Sequence, residues 1–175
     1  QLENKEVIIL APGRSLAEYS DKISAITNAE NSSVIAVNFN GGEYKTDYIF
    51  SSNMRRFSRI EIPEGTKAIV TSNMKDASSK DFVVNFASYS IDSPEIIDNS
   101  ALMLIKLLIA VGIKNVKVAG MDGYSLSQNG DYFDASLEHD FKREAALRNN
   151  LISAELKALS SRINIEFITP TNYER

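Results

Sequence analysis

Val7-Ile8-Ile9-Leu10-Ala11-Pro12-Gly13-Arg14-Ser15-Leu16 is the stretch on which the fold turns. Its apolar, β-branched run predicts a strand over 6–10. Gly13 ends the strand, and Ser15 is a good residue to open a helix. A strand, a tight turn and a helix in this order form the first unit of an α/β sheet, with the turn at the edge where such sheets hold ligands. A helix N-terminus at that edge favours an anionic group such as a phosphate. With its single Gly the turn meets neither G-x-G-x-x-G nor the P-loop pattern. A ligand turn and a plain tight connection therefore both stay open.

The rest of the chain repeats the alternation. Helical spacing of Leu16, Tyr19, Ile23 and Ile26 predicts a helix over 15–27. Further strands are predicted at 34–37, 47–50, 67–71 and 82–84, with a short helix through Arg56 and Phe57. Asp98-Asn99-Ser100 is a capping cluster for an apolar helix over 101–111, which Gly112 stops. A strand over 116–119 leads into a polar loop over 121–132. The longest helix is predicted over 136–160, with Arg148 the one polar interruption of its apolar stripe, and a last strand over 164–168 ends near Pro170. The expected fold is one three-layer, Rossmann-like α/β domain over 1–175. Its sheet is mostly parallel, with about six or seven strands and helices on both faces.

Composition narrows the function. The chain has 175 residues, 43% hydrophobic and 24% charged, as in ordinary globular domains. A net charge of -4 argues against a nucleic-acid surface, and the cluster Arg55, Arg56 and Arg59 is small. Cysteine is absent, which removes disulfides, thiolate zinc sites and a cysteine nucleophile. The apolar run over 101–111 is too short for a membrane span and carries Lys106. A cytoplasmic location is expected. The start at Gln1 suggests a processed chain or a domain cut from a longer protein, and the partners expected are an upstream catalytic domain or further copies of the chain in a homo-oligomer.

In a parallel sheet the exits of the first, second, third and sixth strands share one edge. Those exits are Gly13, Asn38, Ser51 with Ser52, and Gly120 with Asp122, and the crevice expected over them is lined also by Arg14, Ser15 and Ser100. Arg14 is placed to grip a phosphate or carboxylate. Tyr124 and Tyr132 in the polar loop can stack on a base or donate to a phosphate. Turn chemistry explains the small polar residues equally well. His139 is the single histidine and the single candidate imidazole base, although a helical His flanked by Glu138 and Asp140 also reads as a surface residue. No metal-ligand spacing is found.

Taken together, these segments resemble the small bacterial sialyltransferases and lipopolysaccharide-biosynthesis proteins of the DUF115 type. The opening stretch is similar to that group's strand followed by G-N-G-P-S-L. Val37-Asn38, Asn99-Ser100-Ala101, the helix ending Val111-Gly112-Ile113-Lys114-Asn115-Val116, Gly120-Met121-Asp122-Gly123-Tyr124 and Gln128 to Asp134 follow in the same order. The resemblance implies a CMP-activated sialic acid as donor, with no metal and no further cofactor. It implies that Gly13, Ser15, Asn38 and Ser100 hold the nucleotide, that Tyr124 and Tyr132 contact its phosphate, and that His139 is the base. Pro12 and Arg14 depart from the pattern, and the segment from Tyr132 to His139 is short for a lid. The chain is also similar to the C-terminal portion of proteins that begin with an aldolase-like barrel of the HMG-CoA-lyase type. The expected role is a nucleotide-sugar-binding accessory domain in surface-polysaccharide or sialic-acid-type sugar metabolism. The alternatives are an active metal-independent glycosyltransferase and a structural or oligomerisation domain with a vestigial crevice.

Overall fold

A computed structural model describes residues 2, 5–76, 80–125, 130–137 and 144–173. Seven strands form one sheet: β1 (Glu6–Leu10), β2 (Ser32–Val37), β3 (Tyr48–Ser51), β4 (Lys67–Thr71), β5 (Phe82–Val84), β6 (Asn115–Ala119) and β7 (Asn164–Phe167). Their order is β5-β4-β3-β2-β1-β6-β7 and every pairing is parallel. The chain winds outward from β1 to β5, then returns to the other side of β1 for β6 and β7. The winding therefore reverses between β1 and β6, the point at which open α/β sheets form a ligand crevice.

Both sheet faces are covered, so the central strands carry unbroken apolar runs, Val7 to Leu10 in β1 and Val34 to Val37 in β2, rather than alternating ones. The period of two still sorts them. Val7 and Ile9 pack with Ile35, Val118 and the helices α5 (Ser100–Ala110) and α6 (Ala145–Leu159). Ile8 and Leu10 pack on the opposite face with Ala36, Ile49, Leu16 of α1 (Ser15–Glu18) and Ile23 of α2 (Ser20–Thr27). On α5, Leu102, Met103, Leu104 and Ile105 are fully buried, which accounts for its all-round apolar sequence. The short helices α3 (Met54–Phe57) and α4 (Phe86–Tyr89) follow β3 and β5, each capped by an Asn side chain.

Two predicted helices differ from expectation. The helix expected over 15–27 breaks at Tyr19, whose backbone leaves the helical region and whose ring is 38% exposed. The helix expected over 136–160 begins, among the described residues, at Ala145. Residues Ala135–Leu137 form a 3-10 turn opened by Asp134, whose carboxylate accepts the Ser136 N–H at 2.8 Å and whose carbonyl accepts the Leu137 N–H at 3.0 Å.

Where β1 and β6 leave the sheet, their backbones nearly touch. A Cβ on Gly13 would overlap the Gly120 carbonyl oxygen, and a Cβ on Gly120 would overlap the Ala11 carbonyl oxygen. Gly120 also has φ of 73°, in the left-handed region. Gly120→Ala is expected to lower the unfolding free energy by about 3 kcal/mol, from left-handed strain plus overpacking. Urea denaturation measures this, and a loss below about 1 kcal/mol would show that the strand exits can separate at little cost.

Candidate functional site

A cleft of about 640 Å³ lies over the C-terminal ends of the strands, within the range of small-molecule sites. Six of the nine binding residues read from the sequence line it: Gly13, Asn38, Ser100, Asp122, Tyr124 and Tyr132. Ser15 and Ser51 stand behind the lining as buried partners. Arg14 points elsewhere, pairing with Glu18 at 2.7 Å with its side chain 57% exposed. His139 lies outside the described residues.

The turn after β1 spends its donors on the protein itself. Pro12 has no N–H. The Gly13 N–H donates to the Gly120 carbonyl at 2.8 Å and the Arg14 N–H to the Asp131 carbonyl at 3.1 Å. The Ser15 N–H donates to Asp122 Oδ2 at 2.7 Å, and the Ser15 hydroxyl donates to Asp122 Oδ1. The Asp122 carboxylate thus occupies the place where the sequence suggests a phosphate, and α1 has only four residues. Gly13 is demanded by the approach of Gly120 and Asp122. The turn's glycine is therefore explained without a ligand.

The donors that do face the cleft come from two other groups of elements. The first is a neutral network at the exits of β2 and β3 and the start of α5. Asn38 has φ of 63°, a conformation that Asn tolerates better than most residues. Its Oδ1 accepts from the Ser51 hydroxyl at 2.7 Å and the Ser100 hydroxyl at 3.3 Å. With the oxygen fixed in this way, the Asn38 amide nitrogen is the end left for the cleft. The Ser52 hydroxyl donates to the Asp98 carbonyl at 2.8 Å. Asn99 caps α5 through the Leu102 N–H at 3.1 Å, so the positive end of an 11-residue helix opens here.

The second group is cationic and aromatic. Arg56 of α3 and Arg148 of α6 both line the cleft. Arg56 Nη2 donates to the Tyr132 hydroxyl at 3.2 Å and to the Leu137 carbonyl at 3.3 Å. Its guanidinium carbon lies 5.1 Å from the Tyr132 ring centre. Arg148 pairs with Glu144 at 3.0 Å, its side chain 18% exposed. Beside it, Asn149 clamps the Tyr124 backbone, accepting its N–H at 2.9 Å and donating to its carbonyl at 2.8 Å. Burial raises both phenols, with Arg56 partly opposing the rise at Tyr132. Both tyrosines are therefore neutral hydrogen-bonding groups near pH 7.

Sequence reasoning passed over Arg56 and Arg148. Arg56 sits in a basic cluster too small to stand out. Arg148 is the polar interruption in the α6 stripe, and that interruption was the available signal: it faces the cleft while Ile152, Leu156 and Leu159 fill the core. Among the described residues no group of His, Asp and Glu is arranged to hold a metal ion, and no helix is long and apolar enough to cross a membrane. Compared with known proteins, the chain matches no family model, no curated protein and no solved structure.

Asp122 offers a test of the junction beneath the cleft. Burial raises its carboxyl above the ordinary 3.8, against the two Ser15 hydrogen bonds that lower it. A raised acid contributes stability that is complete below its unfolded value and lost as pH climbs through its folded value. The stability of wild type relative to Asp122→Asn should therefore decline from about pH 3 upward and level off above the folded value. Asp122→Ala leaves the buried Ser15 donors without their acceptor and should cost about 2 kcal/mol. A pH series of denaturant unfolding on the three proteins measures both, and a difference that grows with pH would contradict the assignment.

Proposed function

We propose that the chain binds a nucleotide, and more particularly a nucleotide sugar, in the cleft at the β1–β6 crevice. The observation that carries the reading is the convergence of Arg56, Arg148, Tyr124 and Tyr132 on one side of a cleft whose other side is polar, with the Asp98 carboxylate beside Asn53. Guanidinium groups give charge-assisted hydrogen bonds to phosphate oxygens, and neutral phenols add donors. The opposite wall, with Asn38, Asn73 and Ser100 and the open end of α5, matches the hydroxyls of a ribose and the edge of a base. The phosphate grip in this reading belongs to α3 and α6 rather than to the turn after β1.

The resemblance to small bacterial sialyltransferases supports a CMP-sugar-like ligand. It also supports a role as an accessory domain in surface-polysaccharide or sialic-acid-type sugar metabolism. Binding is preferred to transfer because the segment from Tyr132 to His139 is short for a lid that would exclude water and position an acceptor.

Calorimetry with CMP, CDP and UDP tests the reading. Binding by at least one of them is expected, and Arg56→Ala and Arg148→Ala should each weaken it about tenfold or more, the scale of one lost charge-assisted bond. Arg14→Ala should bind as wild type does, because Arg14 faces Glu18. Failure of all three nucleotides to bind at millimolar concentration would overturn the proposal.

A further inference from the structure

Tyr173 lines the main cleft, yet it is only 7% exposed. The segment that follows β7 carries it there, laced to the exit of β6. The Gly120 N–H donates to Thr169 Oγ1 at 3.0 Å, the Thr171 hydroxyl donates to the Met121 carbonyl at 2.8 Å, and the Asn172 N–H donates to the Asp122 carbonyl at 2.7 Å. The Tyr173 N–H turns back onto Thr171 Oγ1 at 3.3 Å. The ring lies against Gly123, where a Cβ would stand 3.5 Å from it, and belongs to the same core as Ile152 and Leu156.

The Tyr173 hydroxyl has no hydrogen-bond partner among the described residues. Buried polar groups are nearly always paired. Tyr44, buried to the same degree, obeys that rule by donating to the Leu16 carbonyl at 3.0 Å. Tyr132 in the cleft meets Arg56. Burial pushes the Tyr173 phenol well above its ordinary range, and Tyr124, Tyr132, Asp122 and Asp131 push it the same way. It therefore keeps its proton near pH 7 and is a donor in search of an acceptor. The two carboxylates are already engaged, Asp122 by Ser15 and Asp131 by the Ser125 N–H at 3.0 Å.

We propose that Tyr173 is a phosphate-binding residue, whose hydroxyl donates to a phosphoryl oxygen in the cleft that Arg56, Arg148, Tyr124 and Tyr132 also line. The inference deepens the phosphate grip proposed above and rests on it. A buried O–H without a partner in the protein receives its acceptor with the ligand, and ionised phosphoryl oxygens accept the strongest hydrogen bonds a nucleotide offers. The unpaired hydroxyl weakens the free protein, and ligand binding removes that penalty. The segment after β7, which the loop carrying Tyr124 and Tyr132 does not include, thereby becomes part of the site.

Tyr173→Phe removes the hydroxyl and keeps the ring. Calorimetry with pyrophosphate, CMP and CDP is one readout, and urea unfolding of the free proteins is the other. Tyr173→Phe is expected to bind these probes about fivefold or more weakly than wild type, the scale of one lost hydrogen bond. Its urea midpoint is expected to equal or exceed that of wild type, because no bond within the protein is lost. Tyr44→Phe is the contrast: it breaks the bond to Leu16, so it should lower the midpoint and leave the affinities unchanged. Equal affinities in wild type and Tyr173→Phe would overturn the proposal and leave the nucleotide reading standing. A midpoint that falls in Tyr173→Phe as it does in Tyr44→Phe would overturn it as well, by revealing a partner within the protein. Pyrophosphate binding that depends on Tyr173, with no nucleotide bound, would support the phosphate role and remove the nucleotide reading. Failure of wild type to bind any of the probes would overturn both.

Discussion

The meeting of two strand exits, β1 at Gly13 and β6 at Gly120, governs the architecture around the cleft. In a doubly wound sheet these are neighbouring strands whose following segments run to different places, so a crevice opens above them. Here the crevice has a floor closed by backbone. The Gly13 N–H bonds to the Gly120 carbonyl, and Gly13 also forms an isolated antiparallel bridge with Tyr132. The segment carrying Tyr132 is therefore laid across the turn after β1. Only residues without a Cβ allow this approach, and the position of Tyr132 over the cleft follows from it.

The same junction decides where positive potential is available. A helix N-terminus after β1 is the usual anion cradle of such folds. In this chain Asp122, delivered by β6, fills it with a carboxylate through two bonds to Ser15. An external anion must then be met elsewhere, and the cations at the cleft are Arg55, Arg56 and Arg148. They stand on α3 and α6, elements that follow other strands. Asn149, next to Arg148, holds the backbone of Tyr124 by two hydrogen bonds. The position of α6 thus sets an arginine and a tyrosine together.

The sheet was legible in the residues because its signals are local. Glu6–Leu10, Lys67–Thr71 and Phe82–Val84 are short apolar runs between turn residues, and the structure has strands over those same ranges. Asn99 was legible as the cap of α5 for the same reason. Helix continuity was harder to read. Tyr19 fits a helical spacing, yet the backbone there has φ of -119° and the first helix ends. Asp134 carries no apolar period at all, but its carboxylate accepts the Ser136 N–H and opens the 3-10 turn at 135–137. At the site, strand-end residues such as Asn38 and Asp122 were predictable from topology alone. Arg56 and Arg148 were not, because their meeting depends on how α3 and α6 pack over the sheet, a long-range fact with no local pattern. The role of Gly13 was open for a similar reason: the oxygen that excludes its Cβ belongs to a residue far along the chain.

Asn38 shows how tightly the amide and hydroxyl wall is determined. A left-handed, non-glycine residue costs free energy, of order 1–3 kcal/mol, unless its surroundings hold it. At Asn38 the hydroxyls of Ser51 and Ser100 both bond to Oδ1, and its N–H donates to the Phe50 carbonyl at 3.0 Å. Those two serines come from different elements, the end of β3 and the start of α5. The strand-end conformation, the amide orientation and the seating of α5 therefore constrain one another. An amide fixed in this way presents its nitrogen without the entropy cost that a free side chain would meet on binding. Across the cleft, Arg56 is likewise held between Tyr132 and Leu137. The two walls differ in chemistry, amide and hydroxyl against guanidinium and phenol. They share the property that hydrogen bonds within the protein position the groups facing the cleft before any ligand arrives.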